Sequence, residues 1–328
     1  MNKKPTIILI FTGVTIILLS VVFFLTSSAE FSLVSRDSGE SSPGLTQKGK
    51  ALFGQEKWDE AIERCTKAIK LDPNYIPAYK TRASAYISTG RYDSAISDYE
   101  KMIELDPMNI NHYVELASLH SLRENNSQAT TVLKRAIKKD PTSGYVTLKV
   151  GDGYMNLGLY HDALLAYNEA IKLAPSSADP YTSRANLYSK LGTHNKAEAD
   201  FDHAVELEPN NEEPYLNRAN YFAERKSYDL AIADYEKAIE LRPKYYEAYL
   251  GQANTYNSLN KAKKALFYIT KAIGIDPKRA DAFVVRARIY ASENKKNQAK
   301  SDYHKAISLT SDPISIVQLQ QKIRELDK

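Results

Sequence analysis

Six histidines, His112, His120, His161, His194, His203 and His304, are the side chains of this chain best suited to metal binding or proton transfer. None stands in an H-E-x-x-H frame or a comparable ligand spacing. The single cysteine, Cys65, can form no internal disulfide and no thiolate cluster. Flanked at helical spacing by Ala61 and Ala68, it reads as core filling rather than as a nucleophile. Gly151, Gly153 and Gly158 superficially resemble a phosphate loop, but no strand pattern precedes them. Asn125-Asn126-Ser127 matches a glycosylation sequon, which has meaning only in a eukaryotic secretory protein. With 44 Lys+Arg against 40 Asp+Glu, the formal charge is +4, and no basic stripe dominates to attract nucleic acid. The expectation is therefore no catalytic residue, no metal, no cofactor, no small-molecule substrate and no nucleic acid.

The elements that position these residues follow from a period. Pro73, Pro107, Pro141, Pro175, Pro209, Pro243 and Pro277 follow one another at a single constant interval. Placing them at position 32 of a repeat aligns the other columns. Position 20 is alanine in all eight units, from Ala61 and Ala95 to Ala299. Position 8 is always Gly or Ala, and position 27 is alanine except for Met102. Position 11 is mostly aromatic: Tyr86, Tyr154, Tyr188, Phe222, Tyr256 and Tyr290. Positions 4, 7, 8 and 11 share one face of a first helix, and positions 20, 24 and 27 share one face of a second. Small residues at 8 and 20 let the two helices approach, and aromatics fill the space around them. Gly90, Gly158 and Gly192 fall at position 15, where a helix end takes a left-handed residue. The prolines stop the second helix. No unit buries its apolar face alone, so stacking must supply the core.

These columns resemble the tetratricopeptide (TPR) family, whose pattern is a small residue at 8, an aromatic at 11, alanine at 20 and 27, and proline at 32. The resemblance covers residues 42–311. Departures include Thr147 for the aromatic at position 4, and Ser311 where proline is due, with Pro313 two residues later. It implies an all-α, right-handed superhelical solenoid of about eight 34-residue helix-turn-helix repeats. It also implies a groove, lined by first helices at positions 2, 5, 9, 12 and 13, that binds an extended peptide or a helix of another protein. In units five to seven position 9 is Asn186, Asn220 and Asn254, each able to hydrogen-bond a peptide backbone. Position 2 carries Asp179, Glu213, Glu247 and Asp281, favouring a somewhat basic segment. The competing reading is that these are ordinary family choices, with acids near a helix start favoured by the dipole alone. The lysine-based carboxylate clamp of some relatives is not supported, since position 5 holds Thr182, Leu216 and Leu250.

One pairing is internal to the chain. Position 7 is arginine in four units, and in those units position 23 is aspartate: Arg82 with Asp98, Arg184 with Asp200, Arg218 with Asp234, Arg286 with Asp302. Where position 7 is Leu116 or Val150, position 23 is Val132 or Ala166. Each Arg–Asp pair is expected to bridge the two helices of its own unit.

At the N-terminus, Lys3 and Lys4 precede Thr6–Leu25, a stretch made mostly of Ile, Leu, Val and Phe with no charged side chain. As a helix this reaches about 30 Å, the thickness of a bilayer core. It reads as an uncleaved membrane anchor, with a signal peptide cut after Ala29 as the alternative. By the positive-inside rule residues 1–5 form a cytosolic tip, 6–25 a transmembrane helix and 26–41 a flexible Ser-rich linker. The repeats then face the non-cytosolic side, in a bacterial inner membrane facing the periplasm or cell exterior, or are secreted if the segment is cleaved. At the other end, Ser311-Asp312-Pro313 is a helix-start signal. Ile316, Leu319, Ile323 and Leu326 form the apolar stripe of a capping helix over 312–328. The reading is a membrane-anchored scaffold or adaptor for other proteins. The alternatives are a chaperone-like binder of secreted or envelope clients, or a non-catalytic accessory subunit of an envelope enzyme complex.

Overall fold

The computed structural model of the protein describes residues 41–327. The expected tip 1–5, the transmembrane helix 6–25 and the linker up to residue 40 lie outside the described residues. Among the described residues there are seventeen α-helices and no strand, and no helix is long and apolar enough to cross a membrane.

Every repeat has the same plan, a first helix over positions 1–13 and a slightly longer second helix over positions 17–30. The chain divides into two compact units, Met1–Pro175 and Ser176–Lys328. The first holds α1 (Ser42–Gly54), α2 (Trp58–Leu71), α3 (Ile76–Ser88), α4 (Tyr92–Leu105), α5 (Ile110–Leu122), α6 (Asn126–Lys139), α7 (Gly144–Asn156) and α8 (Tyr160–Leu173). The second holds α9 (Ala178–Lys190), α10 (His194–Leu207), α11 (Glu212–Glu224), α12 (Tyr228–Leu241), α13 (Tyr246–Ser258), α14 (Ala262–Ile275), α15 (Ala280–Ser292) and α16 (Lys296–Leu309). It ends in α17 (Pro313–Leu326).

The turn between the two helices of a repeat is the same in all eight. Position 15 is left-handed throughout: Gly90, Gly158 and Gly192 have φ between 72° and 75°, but Glu56, Glu124, Lys226, Asn260 and Asn294 adopt φ of 55–61°. The amide of position 16 donates to the carbonyl of position 11, as Arg91 to Tyr86 (2.8 Å) and Lys261 to Tyr256 (2.9 Å). This is the Schellman closure, which satisfies a carbonyl left over at the helix end. At the other connection, tyrosine at position 4 donates its hydroxyl to the carbonyl of the preceding proline: Tyr79 to Pro73 (2.9 Å) and Tyr113 to Pro107 (3.0 Å). The aromatic at position 4 thus both packs and anchors the loop.

Helix approach within a repeat depends on the small column. The position-20 alanines are fully buried. A Cβ on Gly49 would stand 2.7 Å from Cys65 Sγ, and one on Gly151 would stand 2.6 Å from the Tyr167 ring. A Cβ on Gly153 would meet Leu133 at 2.8 Å. Two of the glycines that superficially resemble a phosphate loop are therefore packing residues, and Gly158 is the turn residue. Cys65 is fully buried, and burial pushes its thiol up to about 12, so it is an inert filler.

The last helix begins where its signal predicts. Asp312 caps it, accepting from the amides of Ile314 (3.3 Å) and Ser315 (2.9 Å). Leu319 is buried against Phe283, Ala287, Tyr303 and Ala306, with Ile323 and Leu326 packed beside it.

Candidate peptide-binding surface

The surface rests on an internal framework of ion pairs. Each Arg at position 7 grips the Asp at position 23 with two hydrogen bonds. The distances are 2.9 and 2.6 Å for Arg82–Asp98, and 2.7 Å twice for Arg184–Asp200. They are 2.7 and 2.8 Å for both Arg218–Asp234 and Arg286–Asp302. Each carboxylate is buried. Such fork-to-fork pairing satisfies both oxygens and fixes the guanidinium plane. The aromatics at positions 4 and 11 enclose the cation. Arg82 lies 5.7 Å from the Tyr79 ring centroid and 5.8 Å from that of Tyr86, and Arg184 stands likewise between Tyr181 and Tyr188. Burial lifts the Asp98 carboxyl above its ordinary value, against the pull of Arg82.

Repeat seven departs from this scheme. Position 7 is Gln252, fully buried, and position 23 is Tyr268, whose ring stacks on Tyr256 (5.3 Å) beside Tyr249 (6.3 Å). The tyrosine ring takes up the aromatic contacts that the guanidinium makes elsewhere.

In the second unit the first helices α9, α11, α13 and α15 lie side by side in chain order, while second helices pack chiefly on first helices. Positions 2 and 9 are two helical turns apart and share one face of each first helix. Asn186 and Asn220 are exposed and Asn254 is half-buried. Their surroundings differ. Asn220 Oδ1 accepts from the Tyr235 hydroxyl at 2.7 Å, and Asn254 Oδ1 accepts from Arg288 Nη2 at 3.3 Å. A guanidinium only donates, so Asn254 must turn its carbonyl toward Arg288 and its amide NH2 away.

The acidic column is less available than its spacing implies. Asp281 accepts from the Tyr246 hydroxyl and pairs with Arg279 at 2.8 Å. Arg279 also pairs with Glu247 at 2.5 Å and lies 3.8 Å over the Tyr246 ring. Glu213 stands 3.9 Å from Arg242, whereas Asp179 is exposed at the start of α9. The buried Tyr235 and Tyr246 therefore support this surface from beneath, and Arg242, Arg279 and Arg288 belong to it, although sequence reasoning did not mark them. The available signal was Tyr235 at position 24 following Asn220 at position 9, a relation repeated by Tyr167 and Asp152 (3.1 Å).

Among the described residues no group of three His, Cys, Asp or Glu side chains is arranged to hold a metal ion. His112 is buried and His203 packs edge-on against Tyr181 at 4.6 Å. His112 and His120 share one helix and His194 and His203 another, while His161 and His304 lie in other repeats.

Family models for tetratricopeptide repeats match residues 52–97, 178–211, 213–245, 246–279 and 280–313, and one described as TPR repeat matches 151–192. None of the curated proteins matches this chain. Among solved structures, yeast Tom70 is similar over 94% of this chain and 69% of its own, with a TM-score of 0.66 and 20% identity. A tetratricopeptide repeat protein from Parabacteroides merdae is similar over 77% of this chain and 99% of its own (TM-score 0.53, 21% identity). The APC/C hetero-tetramer Cut9-Hcn1 contains a chain similar over 87% of this one, which spans 55% of that chain (TM-score 0.52, 15% identity). At these identities the likeness shows the fold. With the family matches falling on the repeat frame read from the prolines, this chain belongs to the tetratricopeptide repeat family.

Proposed function

We propose that this protein is a non-catalytic, membrane-anchored scaffold that holds an extended segment of another protein along α9, α11, α13 and α15. Residues 6–25 serve as the anchor and the repeats lie on the non-cytosolic side. The observation that carries the reading is the asparagine column. Asn186, Asn220 and Asn254 recur on one face of adjacent first helices, and at Asn254 and Asn220 the carbonyl is engaged from within. That leaves NH2 donors directed outward, matched to the carbonyls of an extended backbone. Because Glu247 and Asp281 share the guanidinium of Arg279 and Glu213 lies near Arg242, preference for a basic segment rests chiefly on Asp179.

Full-length protein in detergent, tagged and used for affinity capture from membrane extract, tests this beside Asn186→Ala/Asn220→Ala/Asn254→Ala. The expected result is a small, stable set of partners that the triple variant loses while its helical circular dichroism is unchanged. Partners retained by the variant would move binding to another face. Many weak clients in place of a stable set would favour a chaperone-like binder, and a catalytic activity would end the scaffold reading.

A further inference from the structure

The whole-chain charge of +4 conceals an opposition on the outer face of the second unit. The exposed carboxylates of α10 and α12 are Glu198, Glu206, Asp229, Glu236 and Glu240. Two lysines lie among them. Lys196 stands over the Tyr188 ring at 5.4 Å, and Lys237 is held by Glu240 at 2.8 Å. On the next two second helices the sign reverses. The sequence of α14 contains no acid, and the one acid of α16, Asp302, is buried under Arg286. Lys263, Lys264, Lys271, Lys296 and Lys305 are exposed there. On the two second helices that flank the change of sign, large apolar side chains stand in solvent: Leu230 on α12 is 52% exposed and Phe267 on α14 is 56% exposed.

We propose that this face is where two copies of the chain meet, about a two-fold axis running parallel to the second helices between α12 and α14. That symmetry lays α12 of each copy on the partner's α14, and α10 toward the partner's α16, with helix directions parallel. A two-fold interface must be self-complementary, and a surface that is acidic on one side of a line and basic on the other meets this condition. The register agrees, since Asp229 and Lys263 both occupy position 18 and come opposite one another. Leu230 and Phe267 then form an apolar centre with charged groups around it, the usual anatomy of a protein interface. Other occupants match only half of this face. An anionic membrane surface or a nucleic acid would be repelled by α10 and α12, and a uniformly acidic segment would leave them uncovered.

The test is co-purification of two differently tagged full-length chains expressed together. Lys263→Glu/Lys264→Glu/Lys271→Glu makes both halves acidic, and Asp229→Lys/Glu236→Lys/Glu240→Lys makes both halves basic. Wild-type chains should capture one another, less at about 0.5 M than at about 0.05 M salt. Each triple variant should lose self-capture by about tenfold or more, since every exchanged contact occurs twice in a two-fold interface. The acidic variant co-expressed with the basic one should recover it. Circular dichroism of each variant excludes unfolding. Wild-type chains that fail to capture one another, variants that self-associate normally, or a mixture that does not recover would overturn the proposal. Wild-type protein that stays monomeric while its basic half sediments with phosphatidylglycerol vesicles would replace the second copy with a membrane surface.

Discussion

Arg218 donates to both oxygens of Asp234 in its own repeat, at 2.7 and 2.8 Å, and to Asp202 of the preceding repeat at 2.7 Å. One guanidinium thus ties α10, α11 and α12 together. Arg82 does the same with Asp98 and with Thr66 of the repeat before it (3.0 Å). Arg218→Met leaves the Asp234 carboxylate buried without its partner and should cost about 3–5 kcal/mol. Arg218→Leu/Asp234→Val copies the Leu116 and Val132 that repeat three carries at these positions, and should recover most of that loss. Denaturant midpoints of the three proteins decide it. A double variant as unstable as the single one would mean that the ion pair is indispensable and not one of two alternative packings.

Lys226 at φ 61° holds the left-handed conformation that Gly192 holds at φ 75° one repeat earlier. A left-handed residue bearing a Cβ costs roughly 1–2 kcal/mol, part of which glycine returns as unfolded-chain entropy. Lys226→Gly should therefore raise stability by about 0.5–1 kcal/mol, and Gly192→Ala should lower it by about 1 kcal/mol. Thermal melts of both variants would show opposite shifts. Shifts of the same sign would rule out backbone strain as the cause.

Glu115 on α5 is half-buried and, among the described residues, has neither a hydrogen bond nor an ion pair. Burial raises its pKa, with Lys80 pulling the other way. The folded state therefore binds the proton more tightly than the unfolded state, and stability declines as pH rises through the window above the ordinary carboxylate value. Glu115→Gln removes that decline. The variant should be more stable than wild type at pH 7, with the advantage vanishing at about pH 3, where the carboxyl is protonated in both states. An advantage of equal size at both pH values would refute an ionisation effect.

Two of the groove asparagines carry an internal bond and should differ from the third in stability. Asn220→Ala deletes the 2.7 Å bond from Tyr235 and should cost about 1 kcal/mol, while Asn186→Ala should stay within about 0.5 kcal/mol of wild type. Equal losses on denaturation would show that the Tyr235 bond contributes nothing. A loss of partner binding in Asn186→Ala with unchanged stability would isolate recognition from folding.

Much of this fold is local in origin and so was legible in one dimension. Proline ends a helix wherever it stands, the helical period brings positions 4, 8 and 11 to one face, and a fixed recurrence along the chain makes every unit pack like its neighbours. Even the Arg–Asp bridges could be read, because repeats three and four change both partners together. What the tertiary structure decided depends on how neighbouring helices and their closing turns come together. The left-handed turn at Glu56, Glu124 and Lys226 is one case, since the helix-closing bond from position 16 to position 11 holds the geometry whatever side chain stands between. Arg279 on Glu247 and Asp281 is another, where one guanidinium held between two carboxylates offsets half of their charge. The opposed charges of α10–α12 and α14–α16 are the third. The sequence already separates them by segment, acids mostly in α10 and α12 and lysines in α14 and α16, but only folding buries Asp200, Asp234 and Asp302 and leaves the others outward.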